Sequence, residues 1–429
     1  MPKKMQKDML EKIKLILKDV DLRRKFLYVL GFLAVFRLIS AIPIPGIDAE
    51  KLRQFFEANQ FFGLLNLFSG GALGNLSIMM LGVGPYITAS IIMQLLTMLI
   101  PALKELQQEE GEAGRQKFNQ YSRLLTAPLA LVQGFGLLTI LERQGILQFL
   151  TFYEKFGNMI VVAAGSILLM WIGELISEYG IGNGVSLLIF AGIVARFPSD
   201  LRQTFVAFDP SQLPTLAAFF VIAVVTVAAV VYISEGDRPI PVYYAKRVRG
   251  MRMYGGTTTY LPLKVNQAGV IPIIFALSIL LLPQMVANFF AASGNAILRA
   301  AASFVINFLG SSWVYAAAYF ILVFLFTYFY TAVTFDPQAV SKNLQQGGAF
   351  VPGIRPGAST AEFLSKIVTR ITFVGALFLG AVAVLPILVQ AFSGIATLTI
   401  GGTALLIVVS VVLETAKQVE GQLSLRAYE

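Results

Sequence analysis

The sequence predicts an all-α membrane protein with ten transmembrane helices. Hydrophobic residues make up 56% of the 429 residues and charged residues only 13%, about half of the ~25% that is typical of soluble proteins. The apolar residues occur in continuous runs of about 20, the length that a helix needs to cross a hydrocarbon core of about 30 Å, and not in the alternating strands of a membrane barrel. These observations favour a polytopic helical membrane protein.

Ten apolar runs are the candidate transmembrane helices. They lie near residues 25–42, 76–100, 121–141, 157–176, 184–197, 214–233, 267–290, 313–333, 367–391 and 398–413. The fifth run is short and the tenth is marginal, so nine spans remain an alternative. With a cytoplasmic N-terminus, 25 Lys and Arg residues fall in cytoplasmic segments and seven in external ones. Such an excess is typical of cytoplasmic loops, and it predicts ten spans with both termini in the cytoplasm.

The chain is expected to consist of one surface segment and two halves. Residues 1–25 combine basic and acidic residues with apolar ones at helical spacing, which predicts an amphipathic helix on the cytoplasmic membrane surface and not a cleaved signal peptide. A Pro- and Asp-containing break near 198–214 separates a first half, 26–200, from a second half, 201–429. Each half then holds five spans, an organisation that would place a pathway between them, although no residue-level repeat is evident.

The composition excludes several classes of protein. The chain contains no His and no Cys, so it cannot form a His or Cys zinc site, a disulfide or a Ser-His-Asp triad. It also has no Walker motif, so the energy for any transport must come from elsewhere. The Gly-rich sequence at 180–184 lacks nucleotide-binding spacing and predicts a tight turn between two spans.

The segment 57–75 is too short to cross a membrane, yet it is apolar. Its large apolar residues are Phe61, Phe62, Leu64, Leu65, Leu67 and Phe68, and they are followed by Ser69, Gly70 and Gly71. Paired glycines end helices and allow hinges. A non-spanning piece of this kind must lie at the membrane interface or fold back into protein. Two interpretations therefore remain open, an interfacial helix and a movable stopper in a pathway.

The predicted spans contain uncharged polar residues and almost no charge. The polar residues are Thr88, Ser90, Gln94, Gln133, Asn266 and Gln267, and Arg37 is the one charge clearly within a span. Hydroxyl and amide groups usually join neighbouring helices. Ion-coupled transporters usually need intramembrane carboxylates, and the scarcity of these groups argues against that class.

Two cytoplasmic loops, 235–264 and 335–366, are longer than the connection of helices requires. The first alternates apolar and basic residues around Gly250, which predicts a β-hairpin-like projection. Its basic residues are Lys246, Arg247, Arg249 and Arg252. In the second loop, a Gly- and Pro-containing turn presents Arg355. Connections between helices need only about two to eight residues, so the excess length favours docking of an acidic or RNA-bearing partner.

Several motifs resemble those of the bacterial SecY family, the central subunits of Sec protein-conducting channels. They are IPIPGID (42–48), FSGGAL (68–73), PYITASIIMQLL (85–96), GIGNGVS (180–186), LPLKVNQAGVIP (261–272), AFVPGIRPG (349–357) and GGTALLIVV (401–409). They occur in order along essentially the whole chain. The resemblance implies two pseudo-symmetric five-helix halves around a central hourglass pore, in a channel that is not an enzyme and needs no cofactor.

The resemblance also implies roles for particular residues. A plug corresponds to about 61–74, and a lateral gate toward lipid would open between the helix of 85–96 and the helix that follows Lys264. The gate positions are Thr88, Ser90, Ile91, Gln94 and Gln133, with Asn266 or Gln267 opposite. The aliphatic pore ring corresponds to Val83, Ile87, Ile189, Ile274 or Ile279, and Ile407.

The resemblance further implies the partners and the location. It implies the small membrane subunits SecE and SecG, the SecA ATPase, the ribosome, signal sequences with the polypeptides that they lead, and membrane lipid. Lys246, Arg247, Arg249, Arg252 and Arg355 would dock the motor or the ribosome. The expected location is a bacterial plasma membrane.

Two other functions explain less of the sequence. A ten-span secondary transporter would need a coupling carboxylate near the middle of the membrane, and it would give the long basic loops no role. An intramembrane serine protease needs a His that the chain lacks, and no paired intramembrane Asp residues point to an aspartyl protease. The protein-conducting channel accounts for more of the sequence than either.

Overall fold

A computed structural model describes most of the chain. The described residues are 19–44, 66, 69–108, 110–143, 145–147, 151–206, 213–244, 247–249, 252–254, 258–291, 295–393 and 397–426. They divide into two compact units, which are described separately. The first unit comprises Met1–Pro210, Leu281–Asn307 and Val411–Glu429, and the second comprises Ser211–Leu280 and Phe308–Ser410.

Thirteen α-helices account for most of the described residues. In chain order they are α1 (Val20–Ile39), α2 (Gly84–Leu99), α3 (Pro101–Gln108), α4 (Gly111–Arg143), α5 (Phe152–Tyr179), α6 (Gly184–Val206), α7 (Leu213–Glu235), α8 (Ile271–Phe290), α9 (Ala296–Gly310), α10 (Ser312–Thr334), α11 (Pro337–Gln346), α12 (Ala358–Ser393) and α13 (Thr397–Arg426). Helices α1 to α6 and most of α9 belong to the first unit, and α7 and α10 to α12 belong to the second.

Each of the ten predicted apolar runs contains a helix, which confirms the helical fold class. Among the described residues, five helices are long and apolar enough to cross a membrane. A sixth crossing is possible where α2 and α3 form one span, bent by 115°. Three further apolar helices are too short to be counted as membrane-spanning. The number of spans, ten, therefore stays a prediction.

Local sequence signals fix where several helices begin. Asp19 caps α1 by accepting hydrogen bonds from the backbone N–H groups of Asp21 at 2.9 Å and Leu22 at 3.3 Å. The capping box of α5 pairs Thr151 with Glu154, whose carboxylate accepts from the Thr151 N–H at 2.8 Å. Such side chains satisfy the N–H groups that the first helical turn leaves without partners.

The first unit has two described clusters of buried apolar residues. The larger cluster joins the turns around residues 73–81 to helices α4 and α5, and its fully buried members include Leu73, Leu137 and Val162. The smaller one joins Leu22 of α1 to Ile181 and Val419. Helix α1 begins at Val20 and Leu22 packs inside protein, whereas the amphipathic surface segment of residues 1–25 stays a prediction. Residues 1–18 lie outside the described part of the chain.

The second unit carries a small sheet beside its helices. Strands β1 (Asp237–Tyr244), β4 (Thr258–Lys264) and β5 (Ala349–Phe350) pair in the order β4-β1-β5, and β1 pairs antiparallel with both neighbours. Strands β2 (Arg247–Arg249) and β3 (Arg252–Tyr254) form an antiparallel ribbon. The β-hairpin prediction for residues 235–264 is thus confirmed.

Three elements differ from the sequence-based expectations. Residues 76–83 are mainly turns, because α2 begins only at Gly84, although the apolar run starts at 76. The apolar helix α9 has 15 residues, about 22 Å, and is shorter than a hydrocarbon core. Helix α11 lies within the second long loop, residues 335–366, where Asp336 caps it and Pro337 occupies its first turn. Neither α9 nor α11 was predicted.

Candidate functional site

Three residues of the predicted pore ring belong to the first unit and are buried there. Val83 is the residue that caps α2, and the N–H of Ile87 donates a hydrogen bond to its carbonyl oxygen at 3.0 Å. Ile189 lies on α6 and is also buried. All three side chains are branched and aliphatic, so they offer no hydrogen-bonding group to water or ions.

Helix α5 fixes the turn that precedes Val83. Gly82 has a positive φ of 60°, a conformation that favours glycine, and its carbonyl accepts a hydrogen bond from the Ser166 hydroxyl at 2.8 Å. Next to Ser166, a Cβ built on Gly165 would lie 2.8 Å from the carbonyl carbon of Ile78. This close contact admits only glycine. Gly165 and Ser166 therefore set the position of Val83, and sequence reasoning missed both, because the contact joins distant segments.

The remaining ring candidates belong to the second unit. Ile274 and Ile407 are buried, whereas Ile279 is half-buried. Ile274 lies in the first turn of α8, where its N–H donates to the carbonyl of Val270 at 3.3 Å. The burial fits an apolar lining at these positions, and the assignment of the ring itself stays a prediction.

Most of the predicted plug falls outside the described residues. Phe61, Phe62, Leu64, Leu65, Leu67 and Phe68 are among the residues that the structure does not describe. Ser69, Gly70 and Gly71 are described, and all three are buried. Together with Asn66 and residues 72–75 they form a turn that we call the Asn66 loop.

Asn66 and Ser69 hold the Asn66 loop together through hydrogen bonds. The side-chain oxygen of Asn66 accepts from the N–H of Gly74 at 2.8 Å, and its carbonyl accepts from the N–H of Gly71 at 2.8 Å. The Ser69 hydroxyl donates to the Asn66 carbonyl at 3.0 Å and accepts from the N–H of Leu73 at 2.9 Å. The loop therefore satisfies these polar groups internally, although Asn66 and Ser69 are almost completely buried.

Two of the predicted gate residues in the first unit are joined by a hydrogen bond. The amide of Gln133 on α4 donates to the Thr88 hydroxyl on α2 at 3.4 Å, and that hydroxyl donates to the Gly84 carbonyl at 3.0 Å. Ile91 is buried and Ser90 half-buried on α2. The side-chain oxygen of Gln94 is buried and has no hydrogen-bond partner among the described residues.

The gate candidates of the second unit precede α8. The Asn266 amide donates to the Gly269 carbonyl at 3.2 Å, and Gly269 has a φ of 62°. The side-chain oxygens of Asn266 and Gln267 are buried without a hydrogen-bond partner in the described part of the chain. A Cβ built on Gly375 of α12 would lie 2.7 Å from the Val265 carbonyl oxygen, so the segment rests directly on this helix.

Arg355 lies on an exposed turn that the second unit holds rigidly. The Ser341 hydroxyl on α11 donates to the Gly357 carbonyl at 2.6 Å, and the Thr360 hydroxyl donates to the Arg355 carbonyl at 2.9 Å. The adjacent Ile354 packs against a buried cluster below the sheet. That cluster consists of Ile240, Leu263, Val351, Leu364, Ile367 and Val368. The backbone around Arg355 is therefore fixed while the residue itself is exposed.

The basic candidates of the first loop are described only in part. Lys246 lies outside the described residues, and the structure gives Arg247, Arg249 and Arg252 as backbone positions on the β2–β3 ribbon. The register pairs Arg249 with Arg252 and Arg247 with Tyr254. Three arginines therefore occupy neighbouring positions on one short ribbon.

Several charged residues of the helices lie near helix ends or in ion pairs. Arg37 lies in the last turn of α1 and is exposed, and its place within the first span stays a prediction. Arg123 and Glu174 form an ion pair at 2.5 Å, and Lys155 and Glu142 form another at 2.6 Å. Within the described residues, no group of three acidic residues could hold a metal ion.

Comparison with curated proteins reveals close relatives over nearly the full length. The chain is 44% identical to the protein translocase subunit SecY of Mycobacterium leprae over 96% of this chain and 97% of that protein. It is also 44% identical to the protein translocase subunit SecY of Streptomyces galbus, over 95% and 96% of the two chains.

Solved structures show the same fold. A structure described as a protein-conducting channel matches with a TM-score of 0.65 and 21% identity, over 94% of this chain and 93% of that one. Sec61 from a canine ribosome-channel complex of the endoplasmic reticulum matches with a TM-score of 0.61 and 21% identity, over 94% and 93% of the two chains. The SecY family model matches residues 77–416. The chain therefore belongs to the SecY family of protein translocase subunits, which are channels in the membrane and not enzymes.

Proposed function

We propose that this chain conducts unfolded secretory polypeptides across a bacterial plasma membrane and releases transmembrane segments sideways into lipid. The observation that carries this proposal is the 44% identity to a protein translocase subunit over 96% of the chain. Both termini would be cytoplasmic, as the distribution of basic residues predicts.

The proposed closed pore is sealed by branched aliphatic side chains. The residues that would supply this ring are Val83, Ile87, Ile189, Ile274 or Ile279, and Ile407. A narrow constriction of such side chains resists wetting and gives an ion no group to replace its hydration shell. Because the side chains form no specific polar contacts, the same ring could deform around an extended polypeptide of any sequence.

A signal sequence would supply the energy for opening. Each CH₂ group that leaves water contributes about 0.8 kcal/mol, and an apolar segment that binds only the open gate shifts the population toward that state. The long hydrogen bond between Thr88 and Gln133, at 3.4 Å, supports a gate whose polar contacts are weak. The buried side-chain oxygens of Asn266 and Gln267 add polar groups that could form new contacts when the gate rearranges.

The cytoplasmic loops of the second unit would dock a motor ATPase such as SecA, or a ribosome. The rigid backbone around Arg355 supports this role, because a segment with a fixed backbone loses less conformational freedom when its exposed guanidinium binds a carboxylate or phosphate. The arginines of the β2–β3 ribbon would add a basic surface for an acidic or RNA-bearing partner. Neighbouring like charges are unfavourable unless a partner compensates for them.

Small membrane subunits of the SecE and SecG kind would cover apolar surface of the channel. Helix α7 supports this part of the proposal, because its side chains are almost all apolar and are hardly buried. Phe220, Val221 and Tyr232 are each more than half exposed. Helices with such uniform apolar surfaces pack against lipid or other membrane helices.

Transport by reconstituted vesicles tests the proposed function. The chain, small membrane subunits and a motor ATPase would be placed in liposomes, and a secretory preprotein would be added outside. We expect ATP-dependent uptake, measured as protection of the preprotein from protease. A preprotein with Arg in the apolar core of its signal sequence is the control, since a charge in that position opposes entry into lipid. Gradient-driven uptake of a small solute without uptake of preprotein would contradict the proposal.

A further inference from the structure

Gly192 of α6 and Gly70 of the Asn66 loop approach each other more closely than any pair with side chains could. A Cβ built on Gly192 would lie 2.6 Å from the carbonyl carbon and 2.8 Å from the carbonyl oxygen of Gly70. Real Cβ atoms essentially never come within 3.0 Å of a heavy atom of a residue that is distant in the chain. Position 192 therefore admits only glycine while the loop stays in this place.

The loop is confined from its other side as well. A Cβ built on Gly70 would lie 2.5 Å from the Cζ atom of Phe36 on α1, whose side chain is buried. Gly70 also has a φ of 65°, a conformation that residues with a side chain rarely adopt. The backbone at Gly70 is therefore held between α1 and α6 by shape. Both residues of the contact with α6, Gly70 and Gly192, must be glycine.

The contact lies on the same face of α6 as a predicted ring residue. Ile189 precedes Gly192 by three positions, and residues three or four apart share one face of an α-helix. Leu188, Ile189, Gly192 and Ile193 are all buried. The close approach thus ties the end of the plug segment to the helix that supplies Ile189, about one turn away.

We infer that Gly192 is a positioning residue of the closed channel: its missing side chain lets the Asn66 loop lie against α6, about one turn from Ile189. This inference rests on the proposed function. The hydrogen bonds of Asn66 and Ser69 do not by themselves require this role of Gly192. The contact involves no described hydrogen bond between the two glycines, so the loop could leave α6 without losing its internal hydrogen bonds. A part that must move in a channel needs this property.

Cysteine labelling in the complete chain tests the inference directly. The protein contains no cysteine, so Ala72→Cys introduces a single thiol at a fully buried position of the Asn66 loop. Maleimide labelling of this thiol would be measured alone and together with Gly192→Ala. We expect labelling to become at least about tenfold faster with Gly192→Ala, because an added methyl group in a closely packed contact favours the displaced loop.

Gly31→Ala on α1 is the matched control. It adds the same methyl group to a helix of the same unit, where a Cβ would meet nothing within 4 Å. We expect its labelling rate to equal that of Ala72→Cys alone. Equal rates for the Gly192→Ala and Gly31→Ala variants would overturn the inference. If Gly192→Ala does not fold, Gly70→Ala tests the same contact from the loop side and should also accelerate labelling.

A second measurement separates positioning from a general structural defect. In the reconstituted vesicles, Gly192→Ala should raise the resting leak of ions while ATP-dependent uptake of preprotein is retained. Loss of uptake without a leak would overturn the inference, because it would indicate a damaged fold. Failure of transport by the wild-type chain would refute the proposed function. Labelling does not depend on transport, so the labelling result would still decide whether Gly192 positions the Asn66 loop.

Discussion

The Asn66 loop and the turn that carries Arg355 are both short and rich in glycine, yet they are held in place differently. The Asn66 loop is buried, its described side-chain hydrogen bonds are internal, and its Gly70 lies directly against Gly192 of α6. The Arg355 turn is exposed, and hydroxyl groups of Ser341 and Thr360 anchor its backbone. Hydrogen bonds to the surroundings fix a segment, whereas contact by shape allows it to leave intact. Anchoring by hydrogen bonds therefore suits a docking surface, and contact by shape suits a movable stopper.

The largest effect is expected at the fixed turn. Arg355→Glu should slow motor-driven uptake at least about 30-fold, because loss of a charge pair in a docking contact costs about 2–5 kcal/mol. Uptake by reconstituted vesicles measures it. Lys342→Glu, an exposed residue of α11 in the same unit, makes the same change in charge. Its effect should stay within about twofold, since isolated surface charges contribute little. Equal loss in both variants would contradict a specific docking role.

Substitutions in the ring test its barrier to ions separately from any barrier that the Asn66 loop provides. Val83→Ser combined with Ile407→Ser should make the resting channel conduct ions, because hydroxyl groups allow water to enter a constriction that aliphatic groups keep dry. Single-channel recording measures this conductance. Ile160→Ser combined with Val161→Ser changes two exposed positions on α5 and is the control. A silent recording from the ring variant would show that the ring is wrongly assigned.

Loss of the internal hydrogen bonds should loosen the Asn66 loop itself. Asn66→Ala removes the acceptor for the Gly74 N–H, and an unsatisfied buried donor costs about 1–3 kcal/mol. We expect labelling of Ala72→Cys to accelerate by about fivefold or more, as read by maleimide incorporation. Asn307→Ala on α9, which is exposed, should leave the rate unchanged. An unchanged rate for Asn66→Ala would mean that packing alone maintains the loop.

The smallest effect is expected from one anchor of the Arg355 turn. Ser341→Ala removes the 2.6 Å hydrogen bond to the Gly357 carbonyl, which is a loss of about 0.5–1.5 kcal/mol. Uptake at a limiting concentration of motor should fall about two- to tenfold and should recover at a saturating concentration. Ser359→Ala, an exposed neighbour on α12, is the control. A defect that persists at saturation would show that Ser341 acts on a step other than docking.

The helices were largely predictable because each apolar run is a local signal. All ten runs contain helices, and the alternation around Gly250 correctly predicted strands. Helix α9 was missed because its 15 residues are apolar but too short for the span criterion. The start of α2 was placed too early because hydrophobicity continues through the turns of residues 76–83, and hydrophobicity alone does not distinguish a turn from a helix.

The sequence indicated candidate residues for the site, whose roles stay predictions, but it did not indicate the residues that support them. The motifs indicated Val83, Thr88 and Arg355, and chemistry at each position fits the role that the resemblance implied. Ser166 and Gly192 were missed because their partners, Gly82 and Gly70, are distant in the sequence. A glycine within an apolar span is the only sequence signal at position 192, and it does not reveal which backbone comes close.

The nature of the neighbouring atoms decides how much sequence variation a buried glycine allows. At Gly380 of α12 the obstacle to a Cβ is the ring of Phe320, a side chain that another substitution could make smaller. At Gly192 the obstacle is the main chain of Gly70, which every amino acid possesses. Libraries of variants should therefore yield compensated pairs for Gly380 but none for Gly192, where any change of residue alters the resting geometry.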